Sequence, residues 1–237
     1  MVVSFNQPAF IPWGGFFARL MVSDTMVLLD ETQFARGFTF VNRNRVKGPE
    51  QEVWLTVPLE KKGRGRQKIN QLQIYNKEFW SEKFSATLYH MYGRSVFFDD
   101  IALPLARVAC EAERSFVGMA RQMLDMMRRE MKIESGFTRQ SDLEVAGTGI
   151  QLLVAIAREL KAAEVILPFG AQNNLDCRQL EEMGVKVWLS TFEQEVYPQF
   201  WGRFRANLSA LDLLLCLGPE SKRILQRSNH LVEFVSS

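Results

Sequence analysis

The sequence predicts an α/β fold: a mostly parallel, Rossmann-like sheet with helices on both faces and a helical excursion. Two observations predict this class. Short apolar runs at residues 2–5, 26–29 and 164–169 are typical of buried strands. The order strand, loop, helix, strand is repeated near both ends of the chain, and strands connected in this way run parallel within one sheet.

The first two strands bring three polar side chains to one edge of the predicted sheet. Pro8 has no N–H to donate, so the first strand is expected to end before it. A helix is predicted over residues 15–22, and the second strand ends just before Asp30. Ligands of parallel sheets bind outside the carboxyl ends of the strands, so Asn6, Gln7 and Asp30 are expected at a ligand site.

A basic loop lies between two further predicted strands, at residues 52–57 and 69–75. Its residues 61–68 include five cations and two glycines. The loop is either a solvated hairpin tip or a mobile clamp over phosphate oxygens, because glycine frees the backbone and Arg and Lys supply donors. Trp54 and Tyr75 suit stacking on nucleic-acid bases, but 29 basic against 27 acidic residues argue against a nucleic-acid partner.

Residues 77–133 are predicted to form the helical excursion from the sheet. Apolar residues recur there at helical spacing, and they include a stripe of methionines. Core packing is the predicted role of this stripe; contact with a partner or a lipid-like ligand is the alternative, because methionine adapts to irregular surfaces. His90 and His230 each lie alone and are interpreted as structural.

The α/β pattern returns in the C-terminal half of the chain. A weak strand ends in Ser141 and Asp142, and Thr148 is the predicted N-cap of the next helix. Free N–H groups at the start of a helix attract anions. An anion site is indicated here only if these groups face Arg43 and Arg45. Gly170 follows the predicted strand at 164–169. A helix is predicted over residues 175–183, a strand over 185–190 and an aromatic loop over 197–202. Two helices complete the chain, the first capped by Asn207 or Ser209 and the second ending at about residue 227.

Length and composition predict one domain over residues 1–237, with the excursion inside it. Three scattered cysteines are typical of a reducing compartment. No signal peptide and no apolar run of roughly 18 residues is visible, so a cytoplasmic location is expected. The sequence contains no dinucleotide or NTP cradle and no metal-ligand spacing, and it identifies no cofactor.

A set of motifs along nearly the whole chain carries a resemblance to a known family. They are Gln7-Pro8, Pro12-Trp13, Gly15-Phe16, Asp30-Glu31-Thr32-Gln33-Phe34, Asn42-Arg43-Asn44-Arg45-Val46-Lys47, Trp54-Leu55-Thr56-Val57-Pro58, Gln67-Lys68-Ile69, Ser141-Asp142, Tyr197-Pro198-Gln199 and Asn207-Leu208-Ser209 with Asp212. On these motifs the chain resembles the WbqC-like protein family. The resemblance implies a role in surface-polysaccharide metabolism and a glycine-transferase or other acyl-transferase activity.

Two positions depart from the family pattern. Asn6 stands where members of the family carry a His, and Leu167-Pro168 stands in place of a Ser-Gly pair. If that His is the general base, this chain lacks it. The alternative function is therefore a non-catalytic protein that binds a nucleotide sugar or a related anionic ligand.

The candidate site is rich in amides and guanidinium groups. Amides and carboxylates suit hydroxyl and amine recognition, and the forked donors of Arg suit phosphate or carboxylate. The expected partner is a small anionic ligand, such as a nucleotide sugar or an activated acyl donor. Residues 42–47 have a second interpretation, in which they only satisfy loop backbone groups.

Asp30 and Asn6 are the candidate catalytic residues, and Asp30 is the acid/base candidate. One concave cavity is expected to hold Gln7, Asp30, Arg43, Asn44 and Ser141, with Tyr197 or Trp201 as a wall. The candidate substrate-binding residues are Gln7, Trp13, Gln33, Arg36, Asn42, Arg43, Asn44, Arg45, Lys47, Lys68, Ser141, Asp142, Gly170, Tyr197, Trp201, Asn207 and Asp212. No metal ligand is predicted.

Overall fold

Strands and helices alternate at both ends of the chain, and helices alone fill its middle. The computed structural model describes residues 1–35, 37 and 39–236, and the structural statements below refer to those residues. The strands are β1 (Val2–Asn6), β2 (Thr25–Leu28), β3 (Arg43–Lys47), β4 (Glu52–Thr56), β5 (Gly136–Arg139), β6 (Glu164–Pro168), β7 (Lys186–Phe192) and β8 (Asn229–Glu233). The helices are α1 (Gly14–Met21), α2 (Lys77–Tyr92), α3 (Leu103–Glu111), α4 (Phe116–Glu130), α5 (Gly149–Glu159), α6 (Arg178–Glu181), α7 (Ala210–Leu217) and α8 (Ser221–Ser228).

The central sheet has six strands in the order β5-β2-β1-β6-β7-β8. The first five strands of this order run parallel, and β8 pairs antiparallel with β7. The predicted α/β class with a mostly parallel sheet is therefore confirmed. Because β5, β2 and β1 are neighbours, the loops that leave their carboxyl ends lie side by side.

The sheet packs between two apolar layers. Val3 and Phe5 of β1 belong to one cluster with Ile156 of α5, whereas Met26 and Leu28 of β2 belong to the other, which includes α1, α4 and α7. Val27 of β2 belongs to the first cluster, so this short strand contributes to both layers, because alternate residues of a strand point to opposite faces. The predicted helices on both faces are confirmed.

The helical excursion runs through α2, a π-helical turn at Phe98–Ala102, α3 and α4. The methionines of α4 pack in the core: Met119 is 1% exposed, and Met123 and Met127 are fully buried. Core packing, the predicted role of the stripe, is thus its observed role. Phe79 at the start of α2 lies outside the core and is 63% exposed.

The predicted strand at residues 69–75 is wrong. Residues Ile69–Gln71 form a 3-10 turn, and the segment then makes only isolated bridges, Leu59 with Ile74 and Gln73 with Ser115. Ile69 and Leu72 are both buried, and a spacing of three residues brings two side chains to one side of a turn rather than of a strand. The Gln71 side chain accepts a hydrogen bond of 3.0 Å from the Lys68 N–H, which stabilises the turn.

Two strands were not predicted. Strand β3 pairs with β4 in a separate antiparallel hairpin, so residues 43–47 form a strand rather than a loop. Side chains of residues 42–47 nevertheless donate to backbone carbonyls, as the second interpretation expects: Asn42 to Val57, Asn44 to Ile11 and Arg45 to Asn207. Strand β8 is an edge strand whose residues are mostly exposed, so it lacks the apolar run that marks a buried strand. Helix α6 is also shorter than the predicted 175–183.

Within the described part of the chain, no helix has the length and apolar character needed to cross a membrane. The single domain over residues 1–237 stays a prediction.

Candidate active and ligand-binding site

Asp30 and Ser141 meet at the carboxyl edge of the sheet. Strands β2 and β5 pair with Leu28 opposite Arg139, so the residues two positions further on also come together. The Ser141 N–H donates to Asp30 Oδ1 over 3.0 Å, and Ser141 Oγ donates to Asp30 Oδ2 over 2.7 Å. Ser141 therefore donates a hydrogen bond to each of the two Asp30 carboxylate oxygens.

The two members of this pair differ in exposure. Asp30 is fully buried, whereas Ser141 is exposed. The Ser141 hydroxyl donates its proton to Asp30, so its lone pairs can accept a hydrogen bond from a ligand. A ligand that cannot touch the Asp30 carboxylate can thus exchange a proton with it through Ser141.

A cavity of about 390 Å³ opens in front of this pair and is called the Asp30 cavity below. Arg139 Nε and Nη2 donate to the Asp142 carboxylate over 3.0 and 2.5 Å, and these hydrogen bonds lower the pKa of Asp142. Lys68 Nζ lies 3.1 Å from Glu31 Oε1. The cavity is lined by Asp30, Glu31, Lys68, Asn70, Gln71, Ser115, Val117, Gly118, Arg139 and Ser141.

Other candidate residues line a smaller cavity of about 140 Å³ beside the end of β1, the Gln7 cavity. Gln7 Nε2 donates to Thr32 Oγ1 over 3.1 Å, and Asn44 Nδ2 donates to the Ile11 carbonyl over 2.9 Å. Asn6 and Trp13 also line this cavity. The predicted group is therefore divided, with Asp30 and Ser141 in one cavity and Gln7 and Asn44 in another.

A third cavity, of about 460 Å³, lies on the other side of Lys68 and is called the Thr148 cavity below. It is lined by Glu31, Thr32, Gln33, Arg66, Gln67, Lys68, Gln140, Gly147, Thr148, Gly149 and Leu152. Glu31 and Lys68 line both this cavity and the Asp30 cavity. The candidate residue Gln33 is placed here.

The arginines of β3 bind groups of the protein itself. Arg45 Nη1 lies 2.6 Å from Glu52 Oε2, and Arg45 Nη2 donates to the Asn207 carbonyl over 3.3 Å. The guanidinium carbons of Arg43 and Arg45 lie 5.2 and 5.5 Å from the centre of the Trp54 ring. Neither arginine is among the described residues that line the three cavities. None of these cavities therefore brings an anionic ligand into the predicted contact with Arg43 or Arg45.

Asn42 donates to the Val57 carbonyl over 2.8 Å, which joins the start of the hairpin to its second strand. Gly170 has a φ of 92° and caps a 3-10 turn after β6. Arg36 lies outside the described residues.

A buried polar network connects the hairpin to α7 and is centred on Asp212, which is fully buried. Tyr92 OH donates to Asp212 Oδ1 over 2.5 Å, and Tyr197 OH donates to Oδ2 over 2.7 Å. Gln199 Nε2 donates to Oδ2 over 2.9 Å, and Lys47 Nζ donates to Gln199 Oε1 over 3.1 Å. Burial raises the pKa of Asp212, Tyr92 and Tyr197, and the network holds the hairpin against the core.

Tyr197 and Trp201 lie away from the Asp30 cavity. Tyr197 is 3% exposed, and its hydroxyl donates a hydrogen bond to Asp212 Oδ2. Trp201 Nε1 donates to the Met91 carbonyl over 2.8 Å, and its ring lines a separate cavity of about 500 Å³, the Trp201 cavity, with Tyr89, His90 and Arg94.

Sequence reasoning missed Arg139 and Asn70, which line the Asp30 cavity. Arg139 is the last residue of β5, so its place beside the two candidate residues that follow could have been inferred from the strand end. Asn70 could not be found from a local pattern, because a contact distant in sequence places it here. Its N–H donates to the Asp30 carbonyl over 2.7 Å, and forty residues separate the two along the chain. Among the described residues there is no cluster of side chains able to hold a metal ion.

The family model described as "WbqC-like protein family" matches residues 7–224. The uncharacterized protein Rv1507c of Mycobacterium tuberculosis is 28% identical over 226 residues, which cover 94% of this chain and 97% of that protein. No solved structure matches.

Proposed function

Because the chain belongs to the WbqC-like protein family, we propose that it is a transferase that moves an aminoacyl or other acyl group in surface-polysaccharide or amino-sugar metabolism. The anionic donor binds at the carboxyl ends of the strands, in the cytoplasm. The observation that carries this proposal is the Asp30–Ser141 pair, a buried carboxylate joined to an exposed hydroxyl in a cavity that also holds Lys68 and Arg139.

The pair supplies an acid/base group for acyl transfer. The amine or hydroxyl of the acceptor donates a hydrogen bond to Ser141 Oγ, which already donates to Asp30. As the acceptor attacks the carbonyl carbon of the donor, its proton passes to Ser141 and the Ser141 proton passes to Asp30. The bond from the carbonyl carbon to the leaving group then breaks, and the leaving group takes the proton back. Acid/base assistance of this kind typically contributes about 10²–10⁴-fold to a rate.

The anionic part of the donor is bound by cations that are already oriented. Asp142 holds Arg139 through Nε and Nη2, which leaves further N–H groups of the guanidinium to bind a donor. Lys68 is held by Glu31 in the same way. Asn70 and Gln71 also line the cavity, and their side-chain amides add neutral donors and acceptors.

The experiment first finds the donor and then tests the pair. Thermal-shift screening is run with nucleotide sugars, CoA esters, and ATP with amino acids; product formation with the compounds that bind is then followed by mass spectrometry. Ser141→Ala is expected to lower kcat at least about 100-fold with little change in KM, whereas Ser141→Thr, which keeps the hydroxyl, retains activity. No binding in any of the three classes, or an unchanged kcat in Ser141→Ala, contradicts the proposal.

A non-catalytic binding protein is the second candidate. Asn6 favours it, because an amide cannot act as the general base that the family's His would supply at this position. Asn6 also lines the Gln7 cavity rather than the Asp30 cavity. Turnover that appears only in Asn6→His would establish this candidate, and robust turnover by the native chain would remove it.

A further inference from the structure

We propose that the edge strand β8 is a docking surface for a second copy of this chain, whose own β8 pairs with it antiparallel and extends the sheet. Three features of the strand support this: the direction of its free backbone groups, the exposure of its side chains, and a register in which the strand is its own complement. This surface goes beyond the proposed transferase activity and does not depend on it.

The free edge of β8 carries the backbone groups of every second residue. The Phe234 N–H donates to the Val187 carbonyl over 2.9 Å, in the same register as the rest of the β7–β8 pairing. An antiparallel ladder uses alternate residues, so the even-numbered residues of β8 face β7. Asn229, Leu231 and Glu233 therefore direct their N–H and C=O groups away from β7, to a side where the described sheet has no further strand.

The two edges of the sheet differ in exposure. In the outer strand β5 no residue is exposed, because Phe137 is buried and the other three are half-buried. In β8 four of the five residues are exposed, and Leu231 and Val232 are 38% and 54% exposed. Strand β8 also contains neither Pro nor Lys, which commonly prevent edge strands from pairing. The β8 edge is therefore open to another strand.

The outward groups of β8 select one register for two copies of the strand. Only when Leu231, the middle residue of β8, lies opposite its own copy do all three outward residues of one strand lie opposite outward residues of the other. Asn229 is then opposite Glu233 of the partner subunit. Opposite residues of this kind exchange two N–H···O bonds, so the three pairs make six backbone hydrogen bonds in all.

The side chains that meet in this register are also complementary. Leu231 makes an apolar contact with its own copy. Asn229 Nδ2 donates to the Ala18 carbonyl over 3.4 Å and retains a second N–H, which can donate to the Glu233 carboxylate of the partner subunit. A register centred on Glu233 would instead place two carboxylates opposite each other, which is destabilising. This complementarity of the strand with itself favours a second copy over an unrelated extended chain.

The β8 interface is remote from the proposed site in the order of the strands. Asp30 and Ser141 follow β2 and β5, and strands β1, β6 and β7 lie between β2 and β8. Pairing through β8 joins the two six-stranded sheets into one, with an Asp30 cavity near each outer end. The dimer therefore leaves both cavities accessible.

The first test measures the mass of the full chain by sedimentation equilibrium up to about 100 µM, where a monomer–dimer equilibrium is expected. Leu231→Lys places two ammonium groups opposite each other and should weaken the dimer at least about tenfold. Val96→Lys is the matched control, because it makes an apolar-to-lysine change at a residue that is 85% exposed in the helical excursion. It should change the dimer constant less than about twofold.

Disulfide formation tests the register. In chains that carry Cys110→Ser, which removes an exposed thiol, Leu231→Cys brings two thiols to opposite residues. Their Cα atoms are expected about 5.5 Å apart, within the range of a disulfide. Glu233→Cys is the matched control on the same edge, because the two copies of residue 233 would lie about 14 Å apart. Oxidation with copper phenanthroline should cross-link Leu231→Cys at least about tenfold faster than Glu233→Cys.

The outcomes distinguish a β8 dimer from a dimer through another surface and from a single chain. A mass of one chain at every concentration overturns the proposal and leaves β8 to an extended peptide of another protein. Equal weakening by Leu231→Lys and Val96→Lys, or equal cross-linking of the two cysteine variants, shows that the copies meet elsewhere and also overturns it. If circular dichroism shows that Leu231→Lys does not fold, the cysteine variants decide alone.

Discussion

Removal of the Tyr92 hydroxyl should destabilise the protein strongly, because that oxygen makes two buried hydrogen bonds. Tyr92 is fully buried; its OH donates to Asp212 Oδ1 over 2.5 Å and accepts from the Lys47 N–H over 3.0 Å. In Tyr92→Phe the carboxylate loses a donor, which costs about 1.5–3 kcal/mol, and the buried N–H loses its acceptor, which costs about 1–3 kcal/mol.

The two losses lie next to each other and are not strictly additive, so we expect a total of about 3–5 kcal/mol. For a chain of this length that corresponds to a decrease in Tm of roughly 6–20 °C. The assay is urea unfolding followed by tryptophan fluorescence, which gives the free energy of unfolding for each variant.

Two matched variants make the result interpretable. Tyr197→Phe removes one donor to Asp212 and should cost about 1.5–3 kcal/mol. Tyr89→Phe, in which the side chain is 68% exposed, should stay within about 0.5 kcal/mol of the native chain. If Tyr92→Phe is no less stable than Tyr89→Phe, the reasoning about the Asp212 network is refuted.

Two further predictions concern stability. Burial raises the pKa of the Tyr92 and Tyr197 phenols above the ordinary 10.0, so the folded chain keeps protons that the unfolded chain releases, and stability is lost as the pH rises past that value. Tyr92→Phe should reduce this loss by up to about 1.4 kcal/mol per pH unit, measured by urea unfolding between about pH 9 and about pH 11; an unchanged slope contradicts the assignment. Gly218→Ala should be destabilised by about 1–3 kcal/mol more than Gly202→Ala, because both have a positive φ but only the Cβ at position 218 would overlap a side chain, the ring of Phe97. Thermal unfolding of the two variants checks this, and equal Tm values would show that the ring moves aside.

Local signals in the sequence were sufficient for the buried strands β1, β2 and β6 of the sheet. These strands contain short apolar runs, and such runs indicate a strand buried on both faces without knowledge of its neighbours. The same logic brings Asp30 and Ser141 together, because both were expected at the carboxyl ends of strands and parallel neighbours end at one edge. The strand before Ser141 ends earlier than predicted, at Arg139, and Ser141 lies in the 3-10 turn that follows. Strand β8 carries no such run, since its burial is slight and its pairing with β7 is decided by the fold.

The partners of polar side chains were beyond local reasoning. Arg45 pairs with Glu52 because the hairpin places them together, and Lys47 reaches Gln199 across more than half of the chain. A sequence pattern indicates that these side chains are polar, but it does not indicate whether the protein or a ligand satisfies them. For this reason the predicted site contained both residues that line cavities, such as Lys68, and residues that hold the core together, such as Asp212.

The most direct test of the proposed function is where its donor binds. We would map amide chemical shifts of the full chain on addition of the compound that gives the largest thermal shift among the three donor classes. The Asp30 cavity predicts that the amides of Asn70 and Ser141 shift most, since both residues line that cavity. Shifts confined to residues 89–94 and Trp201 would place the ligand in the Trp201 cavity and contradict the proposed site.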